Sequence, residues 1–221
     1  MKSHYLTQFV IALSLLILSV QAHAAQWYHV ELIVFEQLNT ITDEQWPQMT
    51  SVGKASLSPG MATSLIQPAA TETLLNTASR LNHSARYRVH YHNAWQQPIM
   101  RKNSAKSVKI RSANNLIEGT IRLYKSTYLH AALDLWLKQN SSDVDSWSDA
   151  SPNGIDINAP QNPNLKESRR IRSKKLYFFD HPKLGALLQL TPIKTPAAVQ
   201  TDIEPLETFS LPTEATPTVN E

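Results

Sequence analysis

The chain has 221 residues, 21 Lys and Arg against 18 Asp and Glu, and no cysteine. The missing thiols exclude disulfides, thiolate catalysis and zinc-thiolate centres. Five glycines, none in a phosphate-cradling pattern, argue against nucleotide-dependent chemistry.

Residues 1–24 read as a secretory signal. Lys2 supplies the positive start, Phe9 to Val20 runs without a charge, and Ala22-His23-Ala24 is a small-x-small cleavage site. That run is too short to span a bilayer, and no later stretch reaches the roughly 18 apolar residues a transmembrane helix needs. With no cysteine for a lipid anchor, the expectation is cleavage near Ala24 and a periplasmic protein that does not insert into a membrane.

Residues 25–190 then read as a single basic domain of net charge +6, and residues 191–221 as an acidic tail of net charge −4 with five prolines. Such a tail buries too little apolar surface to offset its ordering entropy, so disorder is expected. A basic domain outside the cytoplasm points to anionic glycan, carboxylate-bearing peptide or lipid headgroups before nucleic acid.

In chain order, "WYHVELIVFEQL" from Trp27 to Leu38 is dense in aromatic and β-branched residues, with Leu32 to Phe35 apolar on both faces, and predicts a central strand. Loops are expected at about 39–65, 98–115 and 140–165. Between the first two, Leu74, Leu75, Ala78 and Leu81 predict an amphipathic helix with Pro68 in its first turn, ending near Asn82. "RYRVHYHNAW", from Arg86 to Trp95, predicts a strand.

From Ile117 to Leu137 the alternation has period two and predicts a hairpin across Lys125-Ser126-Thr127, pairing Leu123 with Leu129 and Arg122 with His130. A helix over "YLHAALDLWLKQ" is the competing reading. A last strand is expected from Arg170 to Phe179, with residues 184–190 closing the domain. The class is α+β: a mainly antiparallel sheet with one or two packed helices and a disordered C-terminal tail.

The strand expected at 170–179 begins in "SRRIRSKKLYFF". Extended backbone puts Arg170, Arg172 and Lys174 on one side, roughly 6.5 Å apart, with Ile171, Tyr177 and Phe179 on the other. With Arg169, these cations are the candidate ligands for a polymer bearing carboxylates, which the planar arginine fork pairs bidentately. The plain alternative is edge protection of the sheet. Exposed ion pairs contribute only about 0.2–1 kcal/mol each, so stacking aromatics are also required; Trp95, Tyr177 and Trp136 are the candidates.

Catalytic and metal-binding patterns are sparse. No Gly-x-Ser-x-Gly elbow or His-Glu-x-x-His helix occurs; Ser51-Val52-Gly53-Lys54 and Ser112-Ala113-Asn114 resemble two elements of a penicillin-binding protein, but there is no Lys-Thr-Gly third element and the match reads as chance. His90 and His92, two apart on one predicted strand face, have a metal-ligand spacing but no third partner. Asp143 and Asp145 begin a calcium-loop pattern that is not completed. His130 facing Arg122 and Asp134 is either an acid/base cluster or a polar face.

Four stretches, "WYHVELIVFEQ", "YRVHYHNAWQQP", "EGTIRLYKSTYLHAALDLWL" and "ESRRIRSKKLYFFDHPKLGALLQLTPI", together resemble the CsiV family of gammaproteobacterial periplasmic proteins. Thr127 stands where that family often has arginine. The resemblance implies a non-enzymatic peptidoglycan-binding adaptor acting with the outer-membrane lipoprotein activator LpoA and a class A penicillin-binding protein, with no cofactor. An envelope glycan hydrolase or transferase, and an adaptor that touches only proteins through its tail, are the alternatives.

Overall fold

In the computed structural model the described residues are 25–49, 53–138 and 161–200. The expected signal segment, Ser51, Asp143, Asp145 and the tail beyond residue 200 lie outside them.

Among the described residues, nine strands and two helices follow one another as β1 (Trp27–Gln37), β2 (Gln67–Pro68), α1 (Leu75–Asn82), β3 (Tyr87–Pro98), β4 (Ser107–Arg111), β5 (Ile117–Lys125), β6 (Leu129–Leu137), β7 (Asn164–Ile171), β8 (Leu176–Phe179), β9 (Leu184–Ile193) and α2 (Ala197–Gln200). They form a five-stranded sheet in the order β2-β3-β1-β9-β8 and a four-stranded sheet in the order β4-β5-β6-β7. The major pairings are antiparallel, as expected. Two sheets packed face to face with one covering helix make a sandwich, however, and the α+β label describes it poorly.

Alternation explains the packing. Val30, Leu32 and Val34 of β1 face Ile121 and Leu123 of β5 and Leu133 and Leu135 of β6 in one inter-sheet core. The odd residues Ile33 and Phe35 point outward beneath Leu74 and Ala78 of the helix. β1 is therefore buried on both faces, as the apolar run from Leu32 to Phe35 requires.

Several boundaries differ from expectation. Pro68 sits in β2 rather than in the helix, which begins at Leu75. β4 lies inside the 98–115 stretch expected as loop. β9 runs to Ile193, three residues beyond the expected domain end, because Thr191, Pro192 and Ile193 pair with His29, Tyr28 and Trp27. The β5–β6 hairpin forms and the helical alternative does not, but its register is Leu123 with Ala131 and Tyr124 with His130. The turn is Ser126-Thr127-Tyr128, one residue later than expected, so the pairing slips by two and every side chain keeps its face.

Candidate functional site

The row of cations is not a row. Extended pairing stops at Ile171, and the chain turns through residues 172–175 before β8 joins the other sheet. Lys174 sits at φ 60°, left-handed backbone that L-residues seldom adopt. Its N–H donates to the Leu190 carbonyl at 2.7 Å, and the Arg172 N–H donates to the Tyr177 hydroxyl at 2.8 Å. Arg170, Arg172 and Lys174 are all exposed, but they leave the backbone along a turn rather than at a strand's repeat.

Two expected ligand residues are structural. Arg169 lies over the Phe179 ring at 4.0 Å, donates from Nη2 to the Phe178 carbonyl, and brings Nε within 3.3 Å of a Glu167 oxygen. Its guanidinium ties β7 to β8. Trp95 is completely buried in the core and donates its indole N–H to Gln97 Oε1 at 2.7 Å, so no sugar reaches its face. Trp136 is likewise buried, and Tyr177 is half-buried with its hydroxyl engaged by the turn.

The turn nevertheless lies where three other basic segments converge. β1 begins at Trp27, opposite Pro98 and Ile193, while the hairpin closes at Lys125 and Leu129, opposite Ile171. The Lys125 N–H donates to the Met100 carbonyl at 2.8 Å, which joins the two sheets at this end. Residues 98–106, 122–129, 170–176 and 190–195 thus share one pole. They carry Arg101, Lys102 and Lys106, then Arg122 and Lys125, then Arg170, Arg172, Lys174 and Lys175, then Lys194, and not one Asp or Glu. Like charges concentrated on one surface reinforce one another's field and attract anions over a Debye length.

Aromatic rings interleave with these cations. The Arg170 guanidinium stacks on Tyr128, its central carbon 3.7 Å from the ring centroid, and both residues are exposed. Tyr124 stacks on His130 with centroids 5.0 Å apart and planes 4° from parallel. Arg122 and Lys102 each approach the Tyr124 ring at 5.8 Å, and Arg122 also donates to the Lys102 carbonyl. Beside this platform the sandwich opens into a cleft of about 600 Å³ between the start of β1, the 99–104 connection and the hairpin.

The suggested acid/base cluster is not assembled. His130 faces Tyr124 and Arg170 across the strands, whereas Asp134, four residues along β6, accepts from Asn164 Nδ2 at 2.9 Å and lies 3.8 Å from Lys166. Four extended residues separate the two by roughly 13 Å.

The two histidines are not on one face either. A bulge in the β1–β3 pairing, where Val34 meets Tyr91 and Phe35 meets Val89, leaves His90 as the extra residue. His90 turns to Glu36 at 2.9 Å and His92 to Glu31 at 2.8 Å. Among the described residues no three His, Asp or Glu side chains form a metal-binding group.

Glu31 is a polar centre that the sequence reading did not single out. It is fully buried on β1 and accepts from the Thr73 N–H and Leu74 N–H, each at 2.8 Å, from the Thr73 hydroxyl at 2.5 Å and from His92. Burial pushes its carboxyl upward, but the hydrogen bonds from Thr73, His92 and Leu74 outweigh it and hold the pKa below the ordinary value. The carboxylate thereby anchors the entry to α1. Arg101, Lys125 and Tyr128, which join the basic pole, were also not singled out. Their signal was the placement of charge at both a loop and a hairpin tip, legible only once those tips are known to meet.

Residues 8–193 match the family model described as "Peptidoglycan-binding protein, CsiV". The chain belongs to the CsiV family. No curated protein and no solved structure gives a match. The match ends where β9 ends, at Ile193, so the sandwich described above is the part of this CsiV-family chain that the family shares.

Proposed function

We propose that this CsiV-family protein binds peptidoglycan through the basic pole of its sandwich, in the periplasm and without catalysing a reaction. The observation that carries the reading is the convergence of four acid-free, cation-rich segments beside the exposed Tyr128 ring and the half-buried His130 ring. Muramyl lactyl groups and stem peptides bear carboxylates, and sugar rings offer apolar faces. Arginine forks and tyrosine faces match the two in turn. Each exposed pair contributes about 0.2–1 kcal/mol, so retention depends on many contacts along a repeating polymer. The family description supports the ligand; the pole supplies a surface for it.

The adaptor role follows the family resemblance: an LpoA-type lipoprotein and a class A penicillin-binding protein are the partners we assign. A hydrolase reading has no geometric support in the separated His130 and Asp134. Co-sedimentation of the purified protein with sacculi at low salt tests the binding. Retention that falls when Arg170 and Arg172 are changed to Glu supports the reading; no retention, or retention indifferent to those changes, overturns it.

A further inference from the structure

The cleft beside the platform has a chemistry of its own. Tyr28, Ile99 and Leu129 form an apolar floor that continues into the inter-sheet core, while Arg101, Lys125 and Ser126 stand at its mouth. Arg101 and Lys125 are held side by side by a backbone bridge, and both are exposed. No acidic side chain of the described residues pairs with either. Gln26 and Ser104 add neutral hydrogen-bonding groups to the lining, and the Tyr28 hydroxyl, whose pKa burial raises, stays protonated. A volume of about 600 Å³ lies within the range of small-ligand sites.

We propose that this cleft binds the free carboxylate end of a short peptide with small apolar side chains. Within the peptidoglycan reading, on which the proposal rests, the substrate class is the stem peptide rather than the glycan strand. Two adjoining unpaired cations at the mouth suit one carboxylate, which the Arg101 fork takes bidentately with Lys125 as a point charge beside it. The apolar floor suits methyl-sized side chains, and Ser104 and Ser126 offer hydroxyls to the peptide's amide groups, while Gln26 Nε2 already donates to the Trp27 and Ile193 carbonyls. A polyhydroxylated strand finds none of this chemistry on the floor. It is better served by the flat Tyr128 and Arg170 surface outside, so the two parts of the polymer meet two different parts of the pole.

The test uses the mature full-length protein with four ligands, and inorganic phosphate as a competitor. Calorimetry is performed with a soluble stem tetrapeptide carrying a free C-terminal carboxylate and with the same peptide as its C-terminal amide. In parallel, sacculi are sedimented before and after an amidase removes their peptides. The expected results are an acid at least ten-fold tighter than the amide, loss of acid binding in Arg101→Glu and Lys125→Glu, and weaker retention on stripped glycan. An amide that binds as well as the acid overturns the proposal. So does stripped glycan that binds as well as intact sacculi, or inorganic phosphate that displaces the peptide at equal concentration. Intact sacculi that fail to bind at all would instead overturn the broader peptidoglycan reading, whatever the free peptide does.

Discussion

Arg170 and Tyr128 lie in cation–π contact at the basic pole, the guanidinium carbon 3.7 Å from the ring centroid. An exposed cation–π pair contributes roughly 0.5–1 kcal/mol, too little to explain its presence by stability alone, and it presents one edge of guanidinium and one face of ring to solvent. Changing Tyr128 to Ala should therefore leave the denaturation midpoint almost unchanged while lowering affinity for sacculi by about three- to ten-fold. Comparison of urea melts with sedimentation isotherms checks both halves.

Arg169, one residue away, should behave in the opposite manner. It joins β7 to β8 through the Phe178 carbonyl and the Phe179 ring, and Arg169→Ala is expected to cost about 1–3 kcal/mol of stability. Sacculus binding by the fraction that remains folded should be close to that of the wild type. Unequal effects at neighbouring arginines would separate a fastening cation from a presented one.

Glu31 predicts a specific acid sensitivity. Its carboxyl is held below the ordinary value by hydrogen bonds to the charged form, so the folded state gains stability above the ordinary carboxylate pKa of about 4.3. That contribution is lost as pH falls through the lowered folded pKa. Glu31→Gln should cost about 2–4 kcal/mol near neutral pH, and the difference from wild type should shrink as pH is lowered from about 5 to 3. Chemical denaturation of both proteins across that range measures it; a constant difference would mean that the charge is irrelevant.

The C-terminal boundary is equally testable. Thr191, Pro192 and Ile193 pair with the first residues of β1, so a chain ending at Leu190 strips the start of the central strand of one partner. It should unfold at clearly lower denaturant than a chain ending at Gln200, which keeps the whole of β9 and should melt like the full protein. If the two truncations are equally stable, the β9 extension carries no weight.

The parts of the fold that were legible in the sequence were those set by local alternation. The double-sided apolar run of β1 announced a central strand, and the period-two pattern from Ile117 to Leu137 announced a hairpin with its faces correctly assigned. Register was not legible, since Lys125-Ser126-Thr127 and Ser126-Thr127-Tyr128 both preserve parity and neither has the glycine or asparagine that favours one turn over another.

The break after Ile171 was hidden for the same reason. No glycine, proline or asparagine marks residues 172–175, and Lys174 takes the left-handed position unannounced. Ile171, Tyr177 and Phe179 do share the inter-sheet core, but they reach it from opposite sheets, a symmetry that a single long strand imitates. The bulge at His90 likewise leaves no local trace while reversing the relation of two histidines.

The site was legible as charge and illegible as place. A basic stretch at 101–111 and another at 169–175 are visible in the sequence, and neither reveals that Arg101 abuts Lys125 or that Arg170 lies on Tyr128. Those meetings are products of non-local strand pairing, which composition does not encode in any short window.

Whether one pole of the sandwich grips a polyanion is decided by sacculus sedimentation across a salt series with two charge-reversed proteins. One carries Arg101→Glu, Lys125→Glu, Arg170→Glu and Arg172→Glu at the basic pole; the other carries Arg86→Glu and Arg88→Glu at the opposite end, where Arg88 pairs with Glu36. The expected outcome is wild-type retention at low salt that declines steeply as salt rises, no retention for the first variant and wild-type retention for the second. Equal retention of all three, or equal loss in both variants, would contradict it.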